Sequence, residues 1–193
     1  MKGRVGNMGI LGLSNFILIL LTGIIIYVAW FNAKNVVKQR EISVAGYVFL
    51  LGIVPLSSFF LIYFIITTSF LDFFGYILVI LFACFVFIST WIFIALNGEH
   101  KKVELSMNIV IAIISLIFMM LMGLIEALPN EILEFFLKPL ISMGSKYDIW
   151  SRPPYQLAHF LTFAISFPYM TSFIISKVVL SFRKYKMGVN TYN

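Results

Sequence analysis

The chain alternates long runs without charge and short charged clusters. Between Glu41 and Glu99 lie 57 residues with a single charge, Asp72. Splitting that run at Asp72 leaves residues 42–71 and 73–98, each long enough to cross a bilayer. A spanning helix needs about 20 mostly apolar residues rising about 1.5 Å each. The link between the two halves is short, so they are predicted to be antiparallel neighbours. The same pattern predicts five spans, at 10–31, 45–68, 73–96, 105–125 and 155–176. The first is read as a retained span, not a cleaved signal peptide. Tyr27, Trp30 and Phe31 close it with rings suited to the headgroup level. Pro55 should kink the second, with Ser57 and Ser58 placed to bond freed carbonyls. Gly123 and the cluster Met119, Met120 and Met122 read as helix-packing elements of the fourth. His159 and Pro168 interrupt the fifth.

Residues 126–154 break this pattern. In 130–138, Ile132, Leu133, Phe136 and Leu137 recur at helical spacing, and Glu131, Glu134 and Lys138 share the opposite face. This predicts one short amphipathic helix on the membrane surface, followed by an irregular loop over 142–156. Strands are not expected. Open sheet edges are not viable in hydrocarbon, and no series of alternating ten-residue segments marks a barrel. The expected fold is all-α: a polytopic integral membrane helical bundle of about five transmembrane helices, forming a single membrane domain over residues 1–193.

Composition agrees with this reading and narrows it. Only 11% of residues are charged, against about 25% in soluble domains. A soluble chain of 193 residues could not bury 21 phenylalanines. The net charge of +6 is the kind of excess that basic cytoplasmic flanks produce, and no direct nucleic-acid binding is expected. The one cysteine, Cys84, sits in an apolar run and reads as a small buried side chain. With five spans, one side of the membrane holds nine cations: Lys34, Lys38, Arg40, Lys101, Lys102, Lys177, Arg183, Lys184 and Lys186. The other holds five: Lys2, Arg4, Lys138, Lys146 and Arg152. The richer side should be cytoplasmic, which puts the N-terminus outside and the C-terminal tail, 177–193, inside. Four spans would reverse that tally.

Residues that suggest chemistry are few. Asp72 falls at a turn, where a solvated acid is the simpler reading than an ion site. His159, about one turn into the fifth span, reads as structural, and His100 as solvated in a connector. Neither has a ligand at matched spacing, so no metal site and no cofactor are expected. Asn15 and Thr22 share one face of the first span, as helix-joining polar groups do. The near absence of polar groups at membrane depth points away from an enzyme and towards a non-catalytic subunit that packs with lipid and with copies of itself. Its basic connectors and tail (Lys34, Lys38, Arg40, Lys101, Lys102, Arg183, Lys184 and Lys186) are the expected docking surface for a soluble, acidic cytoplasmic protein partner or for anionic lipid. Tyr147, Trp150, Arg152 and Tyr155 have the composition of a recognition surface and are the expected sensing loop. An oligomeric channel or membrane-perturbing effector is the alternative, and an intramembrane enzyme using Asp72 or His159 a third reading.

A small chain rich in Phe and Ile, with four to five spans and a basic tail after residues 155–176, resembles the KwaA-type membrane subunits of the Kiwa anti-phage defence system. The resemblance implies a homo-oligomeric sensor or scaffold in the bacterial inner membrane, which recruits a cytoplasmic DNA-binding effector and responds to phage at the envelope. It implies no catalytic residues. The 142–156 loop is then the expected place for sensing.

Overall fold

The computed structural model describes residues 4–68, 73–127, 129, 131 and 154–189; side chains are described at 19–63, 65–66, 75, 77–123, 127, 129, 131 and 161–187. The described residues are helical, with no strand among them. In order they form α1 (Arg4–Val37), α2 (Val44–Val48), a π-turn (Phe49–Ile53), α3 (Val54–Thr68), α4 (Phe73–Asn97), α5 (His100–Ala127) and α6 (Pro154–Val189). α2, the π-turn and α3 are continuous and make one span, so five helices are long and apolar enough to cross a membrane, as the pattern predicts. The protein is a helical membrane bundle.

The helices are longer than the apolar runs, because the charged clusters extend them. α1 continues through Lys34 to Val37. The connector expected over 97–104 shrinks to Gly98 and Glu99, and its cations sit in the first turn of α5. The tail expected from residue 177 is the end of α6. At about 1.5 Å per residue, the 36 residues of α6 reach about 54 Å, against a hydrocarbon core of about 30 Å. The helix therefore crosses the membrane and stands clear of it. It also begins sooner than expected: Pro154 is its first residue, where a missing N–H is no loss, so Tyr155 is helical and not part of a loop. Pro168 does not break it, and the nearby Thr171 hydroxyl donates to Phe167 O and, at 3.3 Å, to Pro168 O.

α1 ends in a left-handed cap. Arg40 N–H reaches back to Asn35 O at 3.0 Å and Gln39 N–H to Val36 O at 3.1 Å, a Schellman arrangement with Gln39 at φ 51°. Glycine is the usual residue there, because a side chain in this region costs about 1–2 kcal/mol. Gln39→Gly should therefore stabilise the protein by up to about 1 kcal/mol once the added freedom of the unfolded chain is deducted. In a thermal melt of the detergent-solubilised protein, the midpoint should rise by about 2–4 °C, the shift typical for a chain of this size.

The core runs along the contact between α4 and α6, which are parallel and make the most extensive helix pair. Val79, Ala83, Phe87, Trp91 and Ala95 of α4 are fully buried, with Ala164, Tyr169, Ser172 and Ser176 of α6. α3 adds Phe59 and Tyr63, and α5 adds Val103, Met107 and Val110. Packing is uneven along the membrane normal. Beyond Val110 no residue of α5 is buried as far as Gly123, and Val36 is the sole buried residue of α1 among those described. The methionine cluster expected to pack helices instead faces outward, with Met119 74% exposed, and Gly123 has open space around it. Within one copy, α5 leaves the core before reaching that cluster.

The π-turn is the hub of the core. Pro55 lacks the N–H that would bond Leu51 O in a regular helix. Trp91 Nε1 donates to that carbonyl at 2.9 Å, and Tyr169 Oη donates to the adjacent Gly52 O at 2.5 Å. The two donors come from α4 and α6, so both helices are pinned to one irregular turn. The rings also pack edge to face: Phe87 on Tyr169 at 4.6 Å, Trp91 on Tyr169 at 6.1 Å and Trp91 on Phe173 at 6.4 Å. Ser57 and Ser58 do not take the role predicted for them. Their hydroxyls both donate to Val54 O, at 2.9 and 2.8 Å, one turn back in their own helix.

Candidate functional site

One end of the bundle collects nine of the chain's fourteen Lys and Arg residues. α1, α4 and α6 end there, and α2 and α5 begin there. Contacts across elements fix this arrangement. Glu99 N–H donates to Tyr47 Oη at 3.1 Å, joining the α4–α5 turn to α2. Ser106 Oγ donates to Val44 O at 3.3 Å, joining α5 to α2. Lys177 Nζ meets Glu104 at 2.9 Å, joining α6 to α5. Arg183 Nη1 donates to Gly98 O at 2.7 Å and Ala95 O at 3.0 Å, so a cation from α6 caps the carbonyl end of α4. Such ends carry partial negative charge and favour cations.

The α4–α5 turn permits only glycine at position 98. A Cβ there would lie 2.8 Å from Ile94 O, 2.5 Å from Val103 Cγ2 and 3.0 Å from Tyr47 Cε1. Gly98 N–H itself donates to Ile94 O at 2.8 Å. A second close approach is at Gly46, where a Cβ would lie 2.9 Å from Asn32 Oδ1, so α1 and α2 touch near this same end.

The eight predicted docking residues divide into two groups. Lys38, Arg40, Lys101, Lys184 and Lys186 are exposed, as is Lys34, whose ammonium lies 4.7 Å from the Trp30 ring. Lys102 and Arg183 are committed within the fold: Lys102 pairs with Glu99 at 3.0 Å, and Arg183 holds the α4 carbonyls. Sequence reasoning counted Arg183 as a free cation because the helix end it caps lies 85 residues earlier. His100, expected to be solvated, is partly covered and faces Glu104 at 4.0 Å. Beyond the basic cluster, α6 exposes Phe182 and Tyr185, 71% and 74% respectively, so the emergent helix carries apolar rings among its cations.

The other predicted positions lie elsewhere. Tyr147, Trp150, Arg152 and Asp72 fall outside the described residues, as do the 130–138 segment apart from Glu131 and most of the 142–156 loop. Tyr155 and His159 lie on α6 and Asn15 on α1, with their side chains outside the description. Cys84 is half-buried on α4. No group of three or more His, Cys, Asp or Glu side chains able to hold a metal occurs among the described residues. No protein-family model, curated protein or solved structure matches the chain.

Proposed function

We propose that this chain is a non-catalytic, homo-oligomeric scaffold or sensor subunit of the bacterial inner membrane, serving an anti-phage defence complex of the kind its layout resembles. In this reading the basic end faces the cytoplasm and docks a soluble protein partner, and the N-terminus lies outside. The observation that carries it is the gathering of nine cations at one end, six of them exposed and without a salt bridge among the described residues; Lys34 lies against the Trp30 ring, and the other five (Lys38, Arg40, Lys101, Lys184 and Lys186) accompany the emergent rings Phe182 and Tyr185. A surface of exposed cations around apolar rings suits an acidic protein face with apolar inserts.

The test is reversal of those five charges to Glu. Exposed ion pairs contribute about 0.2–1 kcal/mol each, so five reversals should weaken the partner complex by at least about fivefold. Protection in a plaque assay should fall with it, while the melting temperature stays at the wild-type value, since none of the five holds the core. Reversal leaves four cations at this end against five on the other side, so the variant is compared only after a C-terminal reporter shows that its tail still faces the cytoplasm. Full protection by the reversed variant would overturn the docking surface. A reporter fused after Asn193 and active only in the periplasm would overturn the orientation. Reproducible single-channel conductance from the purified protein would replace the scaffold with a pore.

A further inference from the structure

A groove of about 560 Å³ lies between α1, the π-turn with the first residue of α3, and α4. That volume falls in the about 300–1,000 Å³ range of small-molecule sites. Its walls are Ala29, Trp30 and Ala33 of α1, Leu50 and Val54, and Phe93 and Ile94 of α4, with the hydroxyl residues Ser89 and Thr90 of α4 completing them. The lining positions lie from one to about three turns inside the basic ends of their helices, so the groove begins just below the headgroup level and runs into the hydrocarbon. Two alanines on α1 keep it open. Lys34, next in sequence to the lining Ala33, is exposed, with its ammonium 4.7 Å from the ring of the lining Trp30, and no described carboxylate pairs with it.

We propose that this groove is a binding site for an anionic phospholipid, with an acyl chain along the apolar wall and the headgroup phosphate on Lys34. Three features support the assignment. The wall is mostly apolar, with the Ser89 hydroxyl turned to Val86 O of its own helix, and stands at acyl-chain depth. Its mouth carries an unneutralised cation at phosphate depth, and a cation at that level favours anionic lipid. Trp30 also suits this level, because its ring is amphipathic. The proposal needs only membrane insertion. It stands whichever leaflet the basic end faces, and whether or not a protein docks there.

Native mass spectrometry of the purified protein, incubated separately with phosphatidylglycerol and phosphatidylcholine, tests it. The wild type should retain phosphatidylglycerol preferentially. Lys34→Gln should lower that preference about fivefold, the effect of one cation on an anionic headgroup, and Lys34→Arg should keep it. Ala33→Phe, which fills the groove, should reduce retention of both lipids. Melting temperatures of the Lys34 variants should match the wild type, since the side chain is exposed. Equal retention of the two lipids by the wild type, or an undiminished preference in Lys34→Gln, would overturn the site. So would efficient disulfide formation between copies by Ala33→Cys in a Cys84→Ser background, because a second protein chain would then occupy the groove.

Discussion

Trp91→Ala is expected to lower stability by about 3–5 kcal/mol, the cost of removing a large buried aromatic ring from a packed core. The ring is fully buried and contacts both Tyr169 and Phe173. Its loss also leaves Leu51 O without the indole donor at a position where Pro55 supplies no N–H. Water is scarce at this depth, so no solvent donor replaces the indole. Trp91→Phe separates the two contributions. It keeps most of the ring and removes the donor, so its cost should be near the about 0.6–1.7 kcal/mol measured for hydrogen bonds between membrane helices. Tyr169→Phe should behave similarly through Gly52 O. Because both donors serve adjacent carbonyls of one turn, the double variant should depart from additivity. Unfolding in mixed micelles of increasing SDS content measures all four. If Trp91→Ala unfolds with the wild type, the π-turn is not the hub of the core.

That hub shows where the sequence was informative and where it was silent. The spans were legible because lipid imposes a simple rule: about 20 apolar residues, with charges outside. Pro55 was legible as an irregularity for the same local reason, its missing N–H. The identity of its compensating donors was not, because Trp91 and Tyr169 lie 40 and 117 residues from the carbonyls they serve. Nearby serines were the local candidates, and they bond Val54 O instead. The basic cluster was read from the count of cations on each side of the spans. Which of its members are structural was hidden, since Arg183 is distinguished from Lys184 only by the helix end it meets. α1, α5 and α6 run past the apolar spans because charge marks where a helix leaves the hydrocarbon, not where its hydrogen bonding stops. Met119 and Met120 resembled packing residues because apolarity does not separate a lipid-facing side from a protein-facing one.

Gly98→Ala is expected to be the most disruptive single-methyl change at the basic end. Two of the three atoms the new Cβ would meet belong to side chains, Val103 and Tyr47, both fully packed, and the third is the backbone oxygen of Ile94 at 2.8 Å. Gly98 has no positive φ, so the cost is steric and not conformational. Overpacking of this kind costs about 1–3 kcal/mol. The turn would also have to shift away from Tyr47 Oη and from Arg183, which holds both Gly98 O and Ala95 O. The effect should therefore reach beyond stability to the spacing of Lys101 and Lys184, and so weaken partner docking in the scaffold reading. A second substitution distinguishes the sources of strain. Val103→Ala removes the closest clash, at 2.5 Å, but leaves the contact with Ile94 O. Gly98→Ala/Val103→Ala should then regain part of the stability lost in Gly98→Ala, once the cost of Val103→Ala alone is subtracted. Full recovery in that cycle would show that only the valine resists a side chain at position 98 and that the backbone of the turn can move freely. No recovery would put the whole constraint on the approach of residue 98 to Ile94 O and Tyr47.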